Sequence, residues 1–228
     1  MSFYMHIDWI YFCIFFGAML LISFIMSIQS ANLYTMHVVI RKFSIIDLQF
    51  PASAQELVIF IKGVFKLPVE LSKKSLSALN GQLYFDFLLI PAVYGSVFIL
   101  CMKVSMKMTS FGHMLFAVLA WLQCISLLCG ILQNIYLLNK IRPNPEASRP
   151  AVHNAFLGFE LLKWSLVLTG TVCSVAAIFY FWVVGQYSRH SIDYLLIVAA
   201  EIIVISIAKK ITTKSEKEQL ERFQQTAS

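Results

Sequence analysis

Residues 111–138 read FGHMLFAVLAWLQCISLLCGILQNIYLL, 28 positions without a single Asp, Glu, Lys or Arg. Wound as a helix, this stretch is about 42 Å long at 1.5 Å per residue, whereas a hydrocarbon core of about 30 Å needs only about 20 residues to cross it. It therefore tilts or extends past the bilayer. Four further apolar runs, 9–28, 84–102, 164–184 and 192–208, lie around it in the chain. Of 228 residues, 59% are hydrophobic and 13% charged, with a mean hydropathy of +0.75. That balance excludes a disordered chain and an ordinary soluble domain. The expected fold is an all-α polytopic transmembrane bundle, one domain over 1–208, followed by a polar tail over 209–228. The run 192–208 is short and holds Asp193 and Glu201, so five spans are expected with four as the alternative, the last run then being interfacial or re-entrant. The first run has no Lys or Arg before it and no A-x-A site after it, which reads as a retained anchor rather than a cleaved signal peptide.

Loop cations set the orientation. With five spans and an outside N-terminus, the inside receives Arg41, Lys42, Lys62, Lys66, Lys73 and Lys74 from the first loop. It also receives Lys140, Arg142, Arg149 and Lys163 from the third loop, and Lys209, Lys210, Lys214, Lys217 and Arg222 from the tail. Only Lys103, Lys107 and Arg189 fall outside. This is the positive-inside pattern, with the C-terminus cytoplasmic. The net charge of +6 then reflects topology and lipid headgroups, not nucleic acid.

The first loop, 29–83, is patterned. Residues 36–50 (MHVVIRKFSIIDLQF) are rich in β-branched and aromatic side chains and are read as extended or lying along the membrane surface. Ser53 and Glu56 then have capping-box spacing, and Leu57, Ile61, Val64 and Phe65 follow at helical intervals, predicting an amphipathic helix over about 54–66. That helix lies either in the headgroup region or within a small globular cap on the bundle. The loop 139–155, with Pro143, Pro145 and Pro150, reads as a surface connection.

Polar groups inside apolar runs are the candidate site. Asp86 opens the second run, with Pro91 and Tyr94 one and two turns further on; it either caps or bonds a neighbouring helix, or serves as a ligand or proton site. Gln123 and Asn134 are eleven residues apart, nearly one helix face, with Gly130 between them and Gln133 alongside. Such amides hydrogen-bond across helices at about 0.6 kcal/mol each. Asp193 and Glu201 lie roughly on one side of the last run. Glu201, the deepest carboxylate, is read as buried against a polar neighbour or kept as a neutral acid, or else as a proton or cation site or a contact for a partner's basic residue. Ser165, Thr169, Cys173 and Ala177 recur every fourth residue as a small-residue packing seam, and Glu160 and Lys163 just before them have i,i+3 spacing for an interfacial pair.

The five cysteines form no CxxC, and His113 has no histidine or carboxylate at i+3 or i+4, so neither disulfide framework, haem nor metal is expected. No Walker A, GxSxG, HExxH or compact acidic cluster is present, which disfavours familiar enzyme classes. No catalytic residue and no cofactor is assigned.

The segments Tyr84-Phe85-Asp86-Phe87-Leu88-Leu89-Ile90-Pro91, Leu119-Ala120-Trp121-Leu122-Gln123 and Gly130-Ile131-Leu132-Gln133-Asn134 resemble a group of small, uncharacterised bacterial multi-span membrane proteins. That group opens one helix with D-F-L-x-x-P and ends the next with D-x-x-E-N. Asp86, Pro91 and Asn134 match, whereas Gly130 and Gln133 stand where the acids would be. The resemblance implies a membrane bundle in a bacterial inner (plasma) membrane and no activity. The expected function is binding, as an accessory or lipid-associated subunit whose partners are membrane lipids and a membrane protein or a second copy. A small oligomeric transporter or channel using Glu201, Asp86 and the Gln123/Asn134 stripe is the alternative, and a lipid-modifying enzyme with Asp86, His113 or Glu201 as its acid or base is the second.

Overall fold

A computed structural model describes residues 8–36, 40–187 and 191–226, with no side-chain description for 191–192 and 211–226. Helix α1 (Trp9–Ser30) is followed by a small hairpin of β1 (Tyr34–Met36) and β2 (Ile40–Lys42) and by two short helices, α2 (Ile45–Gln49) and α3 (Ala54–Phe65). Four long helices complete the chain: α4 (Val69–Ser105), α5 (Ser110–Lys140), α6 (Pro150–Val183) and α7 (Ser191–Thr226). The fold is mostly helical, and α1, α4, α5 and α6 are each long and apolar enough to cross a membrane. Their outward faces carry large exposed apolar side chains such as Leu88, Trp121, Leu132 and Leu168, as lipid contact requires.

Helix α4 is central and packs against α1, α5 and α6; α7 packs chiefly on α1. Inward faces follow a three-and-four spacing. In α6 the buried residues are His153, Phe156, Glu160, Lys163, Gly170, Ser174 and Phe181, the pattern of a helix that shows one stripe to its neighbours. A Cβ on Gly170 would lie 2.8 Å from Val97 Cγ1 and 3.0 Å from Gln123 Nε2, so this glycine lets α6 approach both neighbours. Ser174 Oγ is 3.2 Å from Cys101 Sγ across the same contact. The helix ends in a Schellman motif, with Gly185 at φ 75° and amides of Gly185 and Gln186 donating to the carbonyls of Trp182 and Phe181.

The first loop folds as a cap on one end of the bundle. Ser53 Oγ accepts from the Glu56 amide at 3.1 Å, while the Glu56 carboxylate accepts from the Ala52 amide at 2.6 Å. Thus the predicted capping pair forms with its return bond shifted by one residue. Helix α3 turns Leu57, Phe60, Ile61 and Val64 inward. These join Leu33, Phe43 and Leu48 of the cap, Leu79 and Leu83 of α4, Leu137 of α5 and Phe156 of α6 in one apolar cluster. Ser75 of α4 ties the hairpin down, accepting from the Tyr34 amide and donating to the Asn32 carbonyl. Of the two readings of the α3 helix, the globular cap describes this packing; within 36–50, Ile40–Lys42 is extended and pairs with β1, and Ile45–Gln49 is helical.

The remaining differences from the sequence reading are in lengths. Helix α4 begins at Val69, before the apolar run that starts at 84, and α6 at Pro150, before the run that starts at 164; α7 continues to Thr226, as the reading of the tail as a helix leaving the membrane expects.

Candidate functional site

The inward stripes of α4, α5 and α6 meet just below the cap, and there the interior becomes polar. Asp86, 9% exposed, comes from α4; Asn134, 2% exposed, from α5; Glu160, fully enclosed, from α6. Lys163 Nζ sits 2.7 Å from Glu160 Oε2, and Trp164 Nε1 donates to Glu160 Oε1 at 3.2 Å. Glu160 is thus held within its own helix by one ion pair and one hydrogen bond. Asp86 lies beside the Asn134 side chain and within electrostatic reach of Lys163, and Tyr94, two turns along α4, faces both carboxylates. Asn134 Nδ2 is enclosed without a partner of hydrogen-bonding geometry among the described residues, and so are both ring nitrogens of His153, which stands two turns nearer the cap on the α6 stripe.

The amides predicted as a stripe are all interior, and two of them, Gln123 and Gln133, tie α5 to α6. Gln123 Nε2 donates to the Leu119 and Leu166 carbonyls, and Gln133 Nε2 donates to the Phe156 carbonyl at 3.0 Å. They act as helix-to-helix fasteners on either side of the ionic cluster.

Glu160 and Lys163 form the i,i+3 pair that their spacing predicts, but in a different place. As loop or interface charges they belonged at the surface; the fold buries them, and Lys163 leaves the inside cation count. The signal was present in the three-and-four spacing of 153, 156, 160, 163, 170 and 174. The every-fourth-residue row behaves differently: Ser165, Thr169 and Cys173 are exposed and Ala177 is half-buried. A strict step of four turns the helix by about 40° each time, so the row drifts off the contact face. Within the chain, the contact is made by Lys163, Gly170 and Ser174.

Glu201 and Asp193 are on the other side of α1. Helix α7 runs parallel to α1: Cys13 Sγ is 4.0 Å from the Tyr194 carbonyl, and a Cβ on Gly17 would lie 2.8 Å from Glu201 Oε1. Beside Gly17 and Leu20 of α1 and Ile197, Ala200, Glu201 and Val204 of α7 lies a groove of about 370 Å³ with almost wholly apolar walls. Glu201 is half-buried in it, and its Oε2 has no partner among the described residues. The structure therefore divides the six predicted polar residues into an interior group (Asp86, Gln123, Gln133, Asn134) and a peripheral pair (Asp193, Glu201).

At the end opposite the cap, Lys107 Nζ donates to the Gln186 carbonyl at 3.1 Å and lies over the Tyr187 ring, while Lys103 lies over Trp9. These cations are held by aromatic rings near helix ends, as at a membrane interface. His113 at this end bonds only locally, to Ser105. Comparison with known protein families, with curated proteins and with solved structures finds no match to this chain.

Proposed function

We propose that this protein acts by binding inside the membrane, as an accessory subunit that receives a transmembrane helix of another protein in the groove between α1 and α7. The observation that carries this reading is the placement of Glu201. Intramembrane carboxylates almost always face a bundle interior and a partner, whereas this one lies at the periphery beside an apolar groove, with one enclosed oxygen that has no partner among the described residues. A basic or hydrogen-bond-donating side chain on an incoming helix would complete it.

In this reading α7 is the fifth span. Running parallel to α1, it carries Lys209 and Lys210 toward the cap end, where Arg41, Lys42, Lys62, Lys66, Lys73 and Lys74 are exposed. The grouping of these cations supports a cytoplasmic cap and tail with the N-terminus outside, and the membrane we propose is a bacterial inner membrane. The transporter reading is weaker, because α1 separates Glu201 from Asp86 and the two do not share a path.

The test is a photo-crosslinking residue at Ala200 in the native membrane. A membrane protein with a basic residue in its span should be captured, and Glu201→Gln should reduce the yield. Capture of lipid alone would refute the accessory-subunit reading in favour of a lipid-associated one.

A further inference from the structure

The interior cluster carries an unbalanced charge, and this is independent of the groove. Asp86 and Glu160 are two carboxylates facing one ammonium, Lys163. If all three are ionised the site bears one net negative charge in a region where an uncompensated charge is costly. Among the described residues, Lys163 is the one cation that acts on both carboxylates. Tyr94 of α4 and Cys129 of α5 are the other titratable groups that face it, and neither forms a positive charge. Helix α1, on the far side of α4, has no Asp, Glu, Lys or Arg between Trp9 and Ser30. Toward the cap the site is covered by Leu83, Leu137 and Phe156. His153 is the remaining titratable side chain on the α6 stripe, and it has no hydrogen-bond partner.

The two carboxylates are not equivalent. Glu160 is held by the Lys163 ammonium and the Trp164 indole, both of which stabilise the ionised form. Asp86 has only the Asn134 amide beside it and Lys163 further away. Asn134 is 2% exposed and Nδ2 lacks a partner. An Asn side chain can turn its oxygen toward an acid's O–H as readily as its NH2 toward a carboxylate. Asn134 thus suits both states of Asp86.

We propose that Asp86 is the binding site for a single proton in the membrane interior, held against Asn134, while Glu160 and Lys163 persist as an ion pair. Uptake forms one O–H bond on a carboxylate oxygen of Asp86, the proton coming from water, and release returns it to water. The cluster then alternates between neutral and singly negative, and the fold is built to hold the neutral state.

The decisive measurement is infrared difference spectroscopy of the full chain in lipid nanodiscs, with aspartate carrying a carboxyl carbon-13 label. At neutral pH the wild type should show a protonated-carboxyl band that moves with the aspartate label, and Asp86→Asn, which mimics the protonated acid in shape, should lose it. Glu160→Gln should reduce it, because Lys163 would then turn to Asp86 and expel its proton. If the wild type shows no label-sensitive acid band, the proposal fails whether or not any variant folds. Persistence of the whole band in Asp86→Asn also overturns it, since the proton then lies on Asp8, Asp47 or Asp193. A band that grows only when sodium and potassium are removed would assign the compensating charge to a metal ion instead.

Discussion

Replacing Lys163 by Met removes the only ammonium beside two enclosed carboxylates while keeping an unbranched side chain of similar length. Glu160, 0% exposed, is left with the Trp164 indole alone. Breaking a buried ion pair from one side costs about 3–5 kcal/mol, so Lys163→Met should lower stability by about 4 kcal/mol, roughly a thousandfold in the folded-to-unfolded ratio. The double variant Glu160→Gln/Lys163→Met keeps an oxygen for the indole and removes both charges; its cost should be only about 1 kcal/mol. Glu160→Gln alone should fall between them, because Asp86 can become the partner of the abandoned ammonium. The assay is unfolding of the purified protein in mixed micelles with rising SDS, followed by far-ultraviolet circular dichroism and tryptophan fluorescence, with the four proteins forming a double-mutant cycle. If Lys163→Met and the double variant unfold at the same midpoint, the pair is not coupled and the electrostatic reasoning about this cluster is refuted.

Three other outcomes are expected. Gly63→Ala should destabilise the cap by about 1–3 kcal/mol, because a Cβ there would clash with Thr35 Oγ1 and lie 2.8 Å from the Met36 carbonyl oxygen; faster proteolysis of the first loop, with the bundle intact, would show it, and unchanged protection would count against the packing. With the native cysteines removed, Gly17→Cys/Glu201→Cys should cross-link intramolecularly under mild oxidation, and failure to do so would displace α7 from α1. Cysteines placed at Lys66 and Lys210 should react with a membrane-impermeant thiol reagent from the same side, and labelling from opposite sides would remove the fifth span.

The long apolar helices were legible because a stretch such as 111–138 admits no other reading. The first turns of α4 and α6 were not, because Lys73, Lys74 and Arg149 dilute the local hydropathy although the stripe beneath them is already apolar or paired. Glu160 and Lys163 misled for a physical reason: a hydropathy window charges each ion its full cost, while a fold that sets them 2.7 Å apart removes most of it. The Gln123 and Asn134 face was readable from helical angle alone, since eleven residues bring the two within about 20° of each other, with Gln133 at its edge. Glu201 was recognised as the deepest carboxylate, but which way it faces depends on the docking of α7 against α1, a contact between the two ends of the chain that no local pattern encodes.

The Glu160–Lys163 pair also bears on how the chain is made. When α6 emerges, the surfaces that enclose its charged stripe are those of α4 and α5, which precede it. If it met lipid before those two had gathered, it would present an ammonium, a carboxylate and a histidine to hydrocarbon. Its lateral release from the insertion machinery therefore depends on helices already seated, and the order of synthesis becomes part of the stability. On this account damage to the receiving face, at Asn134 or Gln133 on α5, would appear in the cell first as a protein degraded before completion, with α6 left on the wrong side of the membrane, rather than as a finished protein that has lost a task.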